Sequence, residues 1–314
     1  MKALVYTDQE TLIFRDEVDA VAQEGETLIK VSAAGICGSD MHAYHGHDDR
    51  RLPPLILGHE ISGINQNNND AVVINPLITC GSCQECKTGR EHLCQSRGLL
   101  GMTKPINRPG GFAEFVAVPN HNIFTIPANA DLNSLSLTEP TAVAYHAIKI
   151  AEQSSFTKIQ QSKILIIGGG AIGLLLALIL QAKDTQDITI IDTNAKRLDV
   201  CKTASNCNIA HPDDYNILNN NYDIVFDAVG FATTRKKSIQ TIKQGGLIIH
   251  IGLSQAAGKF DFRKTTLQEI TFIGTYCYTS KDFQLSLDTL IEKKLGNLSW
   301  LDYRSLKDGA NAFK

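Results

Sequence analysis

Short apolar runs bounded by turn residues dominate the first 130 residues of the chain. Residues 28–31, 71–74 and 112–118 form such runs, and Gly, Pro and Asn separate them. Short alternating runs between turn residues are typical of β-strands with one buried face. The pattern therefore predicts a β-rich first domain, with an Asn-rich surface turn at residues 65–69.

The pattern changes near residue 140. Residues 141–153 have the periodicity of a helix, and short continuous apolar runs then alternate with helical stretches. The runs lie at residues 164–167, 188–191, 224–226 and 247–251. Continuous runs of this kind predict the buried parallel strands of a doubly wound α/β sheet. Because 314 residues exceed the usual size of one hydrophobic core, we expect two domains with a boundary near residue 140.

One uncharged stretch, residues 164–182, approaches the length of a membrane span. Gly168, Gly169, Gly170 and Gly173 interrupt it, which favours a buried strand, a turn and a helix instead. The N-terminus shows no charged region followed by an apolar run and a cleavage site, so no signal peptide is predicted. We therefore expect a cytoplasmic protein that inserts into no membrane.

Charge and cysteine content narrow the classes of partner. The chain has 30 Lys and Arg residues against 33 Asp and Glu residues, a formal charge of −3. Without a basic surplus, binding to nucleic acid or to an anionic membrane is not predicted. Four of the eight cysteines fall within fifteen residues, and such clustering in a cytosolic chain favours metal binding over disulfides.

The clustered cysteines follow the pattern Cys80-x-x-Cys83-x-x-Cys86, with Cys94 further along the chain. Four thiolates close a tetrahedral shell around zinc, and a closed shell leaves no position for a substrate. The pattern therefore predicts a structural zinc site. Disulfides, buried free thiols and an iron–sulfur cluster are the alternatives.

A glycine-rich turn joins a predicted strand at residues 163–167 to a predicted helix at residues 174–181. In this context Gly168 makes the tight turn, Gly170 lets the backbone approach a pyrophosphate, and Gly173 lets helix and strand pack closely. The helix N-terminus then offers unpaired N–H groups to the phosphates. The turn therefore predicts a dinucleotide site.

Asp192 ends the following strand, nineteen residues after Gly173. A carboxylate at this position accepts hydrogen bonds from the adenosine ribose and repels a 2′-phosphate, which favours NAD over NADP. Lys196 and Arg197 follow closely, and their positive charges leave NADP as the alternative.

Three short segments outside the cysteine cluster carry further candidate metal ligands. Cys37-Gly-Ser-Asp-x-His42 is predicted in a turn after a strand, Gly58-His59-Glu60 in a second turn, and Glu139-Pro140 at the beginning of a helix. Three protein ligands leave one zinc position open for water or substrate, as a catalytic site requires. Spacing alone leaves structural roles open for these residues, because buried Cys and His are common.

The order of these motifs resembles that of zinc-containing medium-chain dehydrogenases of the alcohol dehydrogenase superfamily. The resemblance includes Gly110-Gly-Phe-Ala-Glu114, Asp227-Ala-Val-Gly230 and Gly245-Gly246, and it covers nearly the whole chain. It implies a GroES-like catalytic domain at residues 1–140, with the zinc lobe at 80–94, joined by residues 282–314. It implies a Rossmann-type NAD-binding domain at residues 141–281.

The resemblance also implies ligands for a catalytic zinc ion. Cys37 and His59 would bind it, and Glu60 would be a ligand or a closely held exchangeable one. Glu139 occupies the position where ethanol-type members carry cysteine and sorbitol-type members carry glutamate. A polyol or sugar-like alcohol is therefore the expected substrate.

The remaining roles follow from the same resemblance. Ser39 would take the hydroxyl proton and His42 would pass it towards solvent, while hydride moves to the nicotinamide. The residues expected to contact NAD, besides the glycine turn, are Ile172, Asp192, Arg197 and the backbone around Gly252. The resemblance further implies a homodimer or a homotetramer, and the strand at residues 270–273 would pair across a dimer.

Two departures from the family pattern keep alternatives open. Residues 64–70 look like a shortened strand–turn–strand, and the chain ends at Ala312-Phe313-Lys314, where most relatives continue to a final strand. The expectation is therefore a natural short form or a truncated one. The alternative functions are dehydrogenation of a simple alcohol, a sugar phosphate, a sugar acid or threonine, or a non-catalytic relative.

Overall fold

The computed structural model describes residues 1–214 and 221–314, which form two compact units. The first unit comprises Met1–Glu139, Thr279–Glu292 and Leu301–Lys314, and the second comprises Pro140–Tyr278 and Lys293–Trp300. Residues 293–300 thus differ from the predicted partition, which placed all of 282–314 with the first domain. They group with the second unit, where Trp300 lines a cleft.

Strands account for much of both units. The strands of the first unit are β1 Lys2–Asp8, β2 Thr11–Asp16, β3 Glu26–Gly35, β4 Leu55–Ile56, β5 Glu60–Asn65, β6 Ala71–Ile74, β7 Leu77–Ile78, β8 Gly98–Leu99, β9 Phe115–Pro119 and β10 Ile123–Thr125. Those of the second unit are β11 Ile164–Ile167, β12 Ile188–Ile191, β13 Asn208–Ala210, β14 Tyr222–Asp227, β15 Ile242–His250 and β16 Thr271–Gly274.

Helices connect these strands. In the described residues they are α1 Gly38–Tyr44, α2 Gln84–Lys87, α3 Leu132–Leu135, α4 Thr138–Ser154, α5 Ala171–Ala182, α6 Ala195–Ala204, α7 Ala232–Thr241, α8 Phe262–Leu267, α9 Ser280–Ile291 and α10 Gly309–Ala312. The helix predicted at residues 141–153 begins earlier, at Thr138, since Pro140 is tolerated in a first helical turn.

The first unit is built from antiparallel strands. Its described strands form one sheet in the order β2-β1-β4 and another in the order β10-β6-β5-β3-β9. Apolar residues of this unit form separate buried clusters, one around Leu4 and Phe112 and one around Ile29 and Ile74. The predicted β-rich domain is confirmed, although the strand expected at residues 112–118 begins only at Phe115.

The second unit contains a parallel sheet whose described strands run in the order β13-β12-β11-β14-β15-β16. This is the Rossmann order, and its direction reverses between β11 and β14, where such folds bind dinucleotides. The predicted doubly wound sheet is therefore confirmed. Strands β11 and β12 are fully buried because helices cover both faces of such a sheet.

The uncharged stretch at residues 164–182 becomes strand β11, a turn and helix α5, as predicted. Within residues 1–214 and 221–314, none of the helices combines the length and the apolar character that a membrane span needs.

Candidate metal centres and dinucleotide cleft

The four clustered cysteines converge in the first unit. Cys80 Sγ lies 3.6 Å from Cys94 Sγ and 3.9 Å from Cys86 Sγ, and Cys83 Sγ lies 3.5 Å from Cys86 Sγ. Tetrahedral zinc with Zn–S bonds of about 2.3 Å places its sulfurs about 3.8 Å apart. The separations therefore fit one zinc ion. They exceed a disulfide bond, and they leave no room for several iron ions between the sulfurs.

The thiols of this cluster hold their protons unequally. Hydrogen bonds from Ser82 lower the pKa of Cys80 to about 5, whereas burial and the Cys83 thiol raise the pKa of Cys86 to about 12. A bound divalent cation would lower all four pKa values, because it stabilises all four thiolates at once. The donor set is thus chemically suited to zinc.

A second group of candidate ligands lies in the same unit. The ligand atoms of Cys37, His59 and Glu60 all lie within 4.8 Å of one another. Cys37 is half-buried directly before α1, whereas His59 and Glu60 are buried where β5 begins. Three donors of these types fit a zinc ion that keeps an open position.

Asp40 connects the two segments that carry these ligands, a role that the sequence interpretation missed. Its fully buried carboxylate accepts hydrogen bonds from the backbone N–H of Cys37 at 3.1 Å and of Gly58 at 3.4 Å. Its Oδ1 also lies 3.5 Å from His59 Nδ1, longer than a normal hydrogen bond. A carboxylate beside the remote ring nitrogen is the usual device for orienting a metal-binding histidine.

His59 and Asp40 stabilise each other's charged forms. Burial lowers the pKa of His59, but the charges of Asp40 and Cys37 outweigh it and raise that pKa well above its usual value. Burial tends to raise the pKa of Asp40, yet His59 holds it below its usual value. The cluster therefore stabilises positive charge at its centre, as a cation site must.

Glu60 is held against the backbone of the neighbouring strand. It pairs with Gly35 in the β3–β5 register, and a Cβ on Gly35 would lie 1.9 Å from Glu60 Oε2. Burial and the nearby Glu139 carboxylate raise the pKa of Glu60 to about 8. Glu139 is itself buried in the first turn of α4, outside the set that converges within 4.8 Å. The second carboxylate is thus near the candidate metal centre without belonging to its innermost group.

Ser39 and His42 lie on helix α1, where the sequence predicted only a turn. The helix forms because Asp40 accepts a hydrogen bond from the N–H of Cys37 directly before it, a capping contact in the first turn. Residues three apart share a helix face, so Ser39 and His42 lie on the same side. Burial and the neighbouring His47 lower the pKa of His42, which keeps its ring neutral and able to accept a proton at pH 7.

The glycine turn of the second unit has the geometry expected of a dinucleotide site. Gly168 has a φ of +106°, and a Cβ on Gly173 would lie 1.8 Å from the Gly168 carbonyl oxygen, so the fold itself requires both glycines. Gly170 has ordinary extended backbone, and its Cβ would meet no atom within 4 Å. The open space at Gly170 lies at the beginning of α5, where a phosphate is expected.

Asp192 is hydrogen-bonded to the same turn. Its carboxylate accepts hydrogen bonds from the backbone N–H of Gly169 and of Asn194, each at 2.8 Å. Arg197 Nη1 lies 3.7 Å from Asp192 Oδ2, and its side chain is largely exposed. The carboxylate is therefore fixed in place, with an arginine beside it that remains open to solvent.

Gly252 lies after β15 in close contact with the neighbouring strand end, since a Cβ there would lie 2.1 Å from the carbonyl carbon of Val229. Packing alone thus explains this glycine, and its contact with a cofactor stays a prediction, as does that of Ile172 in the first turn of α5.

Two glycine substitutions should separate binding from folding. Gly170→Ala is expected to raise the Kd for NADH at least about tenfold, because the methyl group occupies phosphate space, and to change stability by about 1 kcal/mol at most. Gly173→Ala should instead cost at least about 2 kcal/mol of stability by overpacking. Calorimetric titration and thermal unfolding of both variants check this, and equal Kd values for Gly170→Ala and the parent would contradict it.

Two family models match the chain in succession. The Alcohol dehydrogenase GroES-like domain matches residues 23–128, and the Zinc-binding dehydrogenase family matches residues 171–292. The first range contains the cysteine cluster and the Cys37 group, and the second contains most of the parallel sheet.

Named relatives agree with these matches. The L-galactonate-5-dehydrogenase of Escherichia coli is 28% identical over 301 residues, spanning 90% of this chain and 85% of its own length. The L-threonine 3-dehydrogenase of Sinorhizobium fredii is 28% identical over 298 residues, spanning 88% and 83%. The 2R,3R-butanediol dehydrogenase structure from Bacillus subtilis is 26% identical, with a TM-score of 0.79 over 95% of this chain and 89% of that one. The chain therefore belongs to the zinc-containing medium-chain dehydrogenases of the alcohol dehydrogenase superfamily.

Proposed function

We propose that this dehydrogenase transfers hydride between NAD and a secondary alcohol within a polyol or sugar-like molecule. The observation that carries the proposal is the convergence of Cys37, His59 and Glu60, with Glu139 as a second buried carboxylate beside them. When bound there, zinc supplies a Lewis acid that polarises a substrate hydroxyl.

The chain's own residues would manage the proton. Ser39 and His42 share a face of α1, and the lowered pKa of His42 favours the neutral ring that a proton acceptor needs. Asp40 holds Cys37 and the Gly58–His59 segment in place, so the ligands need little rearrangement when the metal arrives. Asp192 would accept hydrogen bonds from the adenosine ribose and disfavour a 2′-phosphate, which supports NAD as the preferred cofactor.

The buried carboxylates at the candidate metal centre favour a substrate with more than one polar group. A buried carboxylate at position 139 accepts a hydrogen bond from a neighbouring substrate hydroxyl, and a site built to pair such groups rejects analogues that lack them. The relatives above are named for galactonate, threonine and 2R,3R-butanediol, each of which carries a second polar group beside a hydroxyl. These names support the same substrate class here.

A substrate panel tests the proposal. With NAD, kcat/KM for vicinal polyols and sugar acids should exceed that for simple secondary alcohols of matched length by at least tenfold, about 1.4 kcal/mol. Glu139→Gln should shrink this preference, whereas Glu152→Gln, on the exposed side of the same helix, should leave it unchanged. NAD should give a higher kcat/KM than NADP. A tenfold advantage for simple alcohols would refute the polyol assignment, and a preference for NADP would refute the role of Asp192.

A further inference from the structure

The cleft beside the glycine turn has one wall that the family motifs do not account for. Gly169, Gly170, Lys196 and Arg197 line it, together with Trp300 from the C-terminal part of the chain. Trp300 is the single tryptophan of the protein. It lies 130 positions after Gly170, so the fold alone brings it to this place.

The indole group of Trp300 carries a buried hydrogen-bond donor. Its Nε1 is buried and has no hydrogen-bond partner among the described residues. Tryptophan N–H groups usually find a partner when buried, because an unpaired buried donor destabilises the fold. An acceptor that enters the cleft, with a small turn of the ring, would relieve this cost.

The other lining residues indicate the kind of acceptor. The N-terminus of the twelve-residue helix α5 carries partial positive charge, and Lys196 and Arg197 add two full positive charges. Leu174 and Val200 supply apolar surface to the same cleft. Cations, backbone donors and an aromatic wall together suit a phosphate group attached to a sugar.

We propose that Trp300 is part of the dinucleotide site and that its indole N–H donates a hydrogen bond to a phosphate oxygen of the bound cofactor. This inference rests on the proposed function, since it takes a nicotinamide dinucleotide as the ligand. Residues 293–300 group with the second unit, which also contains the glycine turn. The pyrophosphate and a 2′-phosphate offer the same chemistry, and the test distinguishes them.

The single tryptophan makes the test direct. Titration of the metal-loaded protein with ADP-ribose should shift or quench its tryptophan fluorescence with the same Kd that calorimetry gives. Trp300→Phe keeps an aromatic ring and loses the donor, so its Kd for ADP-ribose should rise about tenfold, while its affinity for adenosine, which has no phosphate, should stay unchanged. Phe156→Leu, at an exposed aromatic position of the same unit, should change neither value.

A second ligand identifies the phosphate. A loss of affinity for both ADP-ribose and 2′-phospho-ADP-ribose assigns the bond to the pyrophosphate, and a loss only for the latter assigns it to the 2′-phosphate. Unchanged fluorescence of the parent on saturation with each ligand, or Trp300→Phe Kd values for both ligands equal to those of the parent, would overturn the proposal. If the proposal is overturned but the parent still shows NAD-dependent turnover, only the role of Trp300 is refuted. If the parent neither binds the dinucleotides nor shows turnover, the proposed function is refuted as well.

Discussion

Replacement of His59 by alanine is expected to lower kcat/KM by at least about a thousandfold and to remove one of two zinc ions per chain. The reason is that Lewis-acid polarisation contributes several kcal/mol to such a reaction, and each 1.36 kcal/mol corresponds to a tenfold change in rate. Calorimetric NADH binding should survive, because the glycine turn and Asp192 lie in the other unit. Metal analysis and steady-state kinetics on one sample provide the measurement.

His121→Ala is the matched control for this substitution. His121 is exposed in the first unit and belongs to neither ligand group, so its loss should change neither zinc content nor turnover. Full zinc content and near-parental kcat/KM in His59→Ala would contradict the assignment of the Cys37, His59 and Glu60 group as the catalytic centre.

Replacement of Cys94 by serine is expected to destabilise the fold and to remove a zinc ion. Cys94 is completely buried, and a structural zinc site contributes its binding free energy to folding. We expect the second zinc equivalent to be lost and Tm to fall by more than about 5 °C, which corresponds to at least about 2 kcal/mol. Thermal unfolding with metal analysis measures both effects.

Cys207→Ser provides the comparison for this change. Cys207 is a partly buried free thiol of the second unit and belongs to neither metal group, so its replacement should preserve both zinc ions and nearly all of the stability. A Cys94→Ser variant that unfolds at the parental temperature and keeps two zinc ions would show that the cysteine lobe needs no fourth thiolate.

The second unit was the more predictable part of the fold. Its strands are continuous apolar runs, and the glycine turn follows the first of them, so β11, β12 and α5 lie where the pattern placed them. Continuous apolar runs predict these strands because parallel strands are buried on both faces. The grouping of residues 293–300 with this unit was not predicted, since it depends on tertiary contacts and not on a local apolar pattern.

The ligands of the candidate metal centre were predicted from the sequence, but the residues that position them were not. Motif order indicated Cys37, His59 and Glu60, but the helix that follows Cys37 was missed, because cysteine is not among the usual capping residues. The motif contains Asp40, but the sequence alone predicted no role for it. The signal for it was its position three residues after Cys37, where a carboxylate reaches back to the first free N–H of a helix. Gly35 gave no local signal, because only pairing between strands brings it to Glu60.

The most direct test of the account is zinc content measured together with NADH production on the same unchelated sample. The account predicts two zinc ions per chain and NAD-dependent oxidation of at least one vicinal polyol or sugar acid. Partial chelation should remove one ion and abolish turnover, and added zinc should restore it. Undiminished turnover after loss of every ion outside the cysteine cluster would contradict the account.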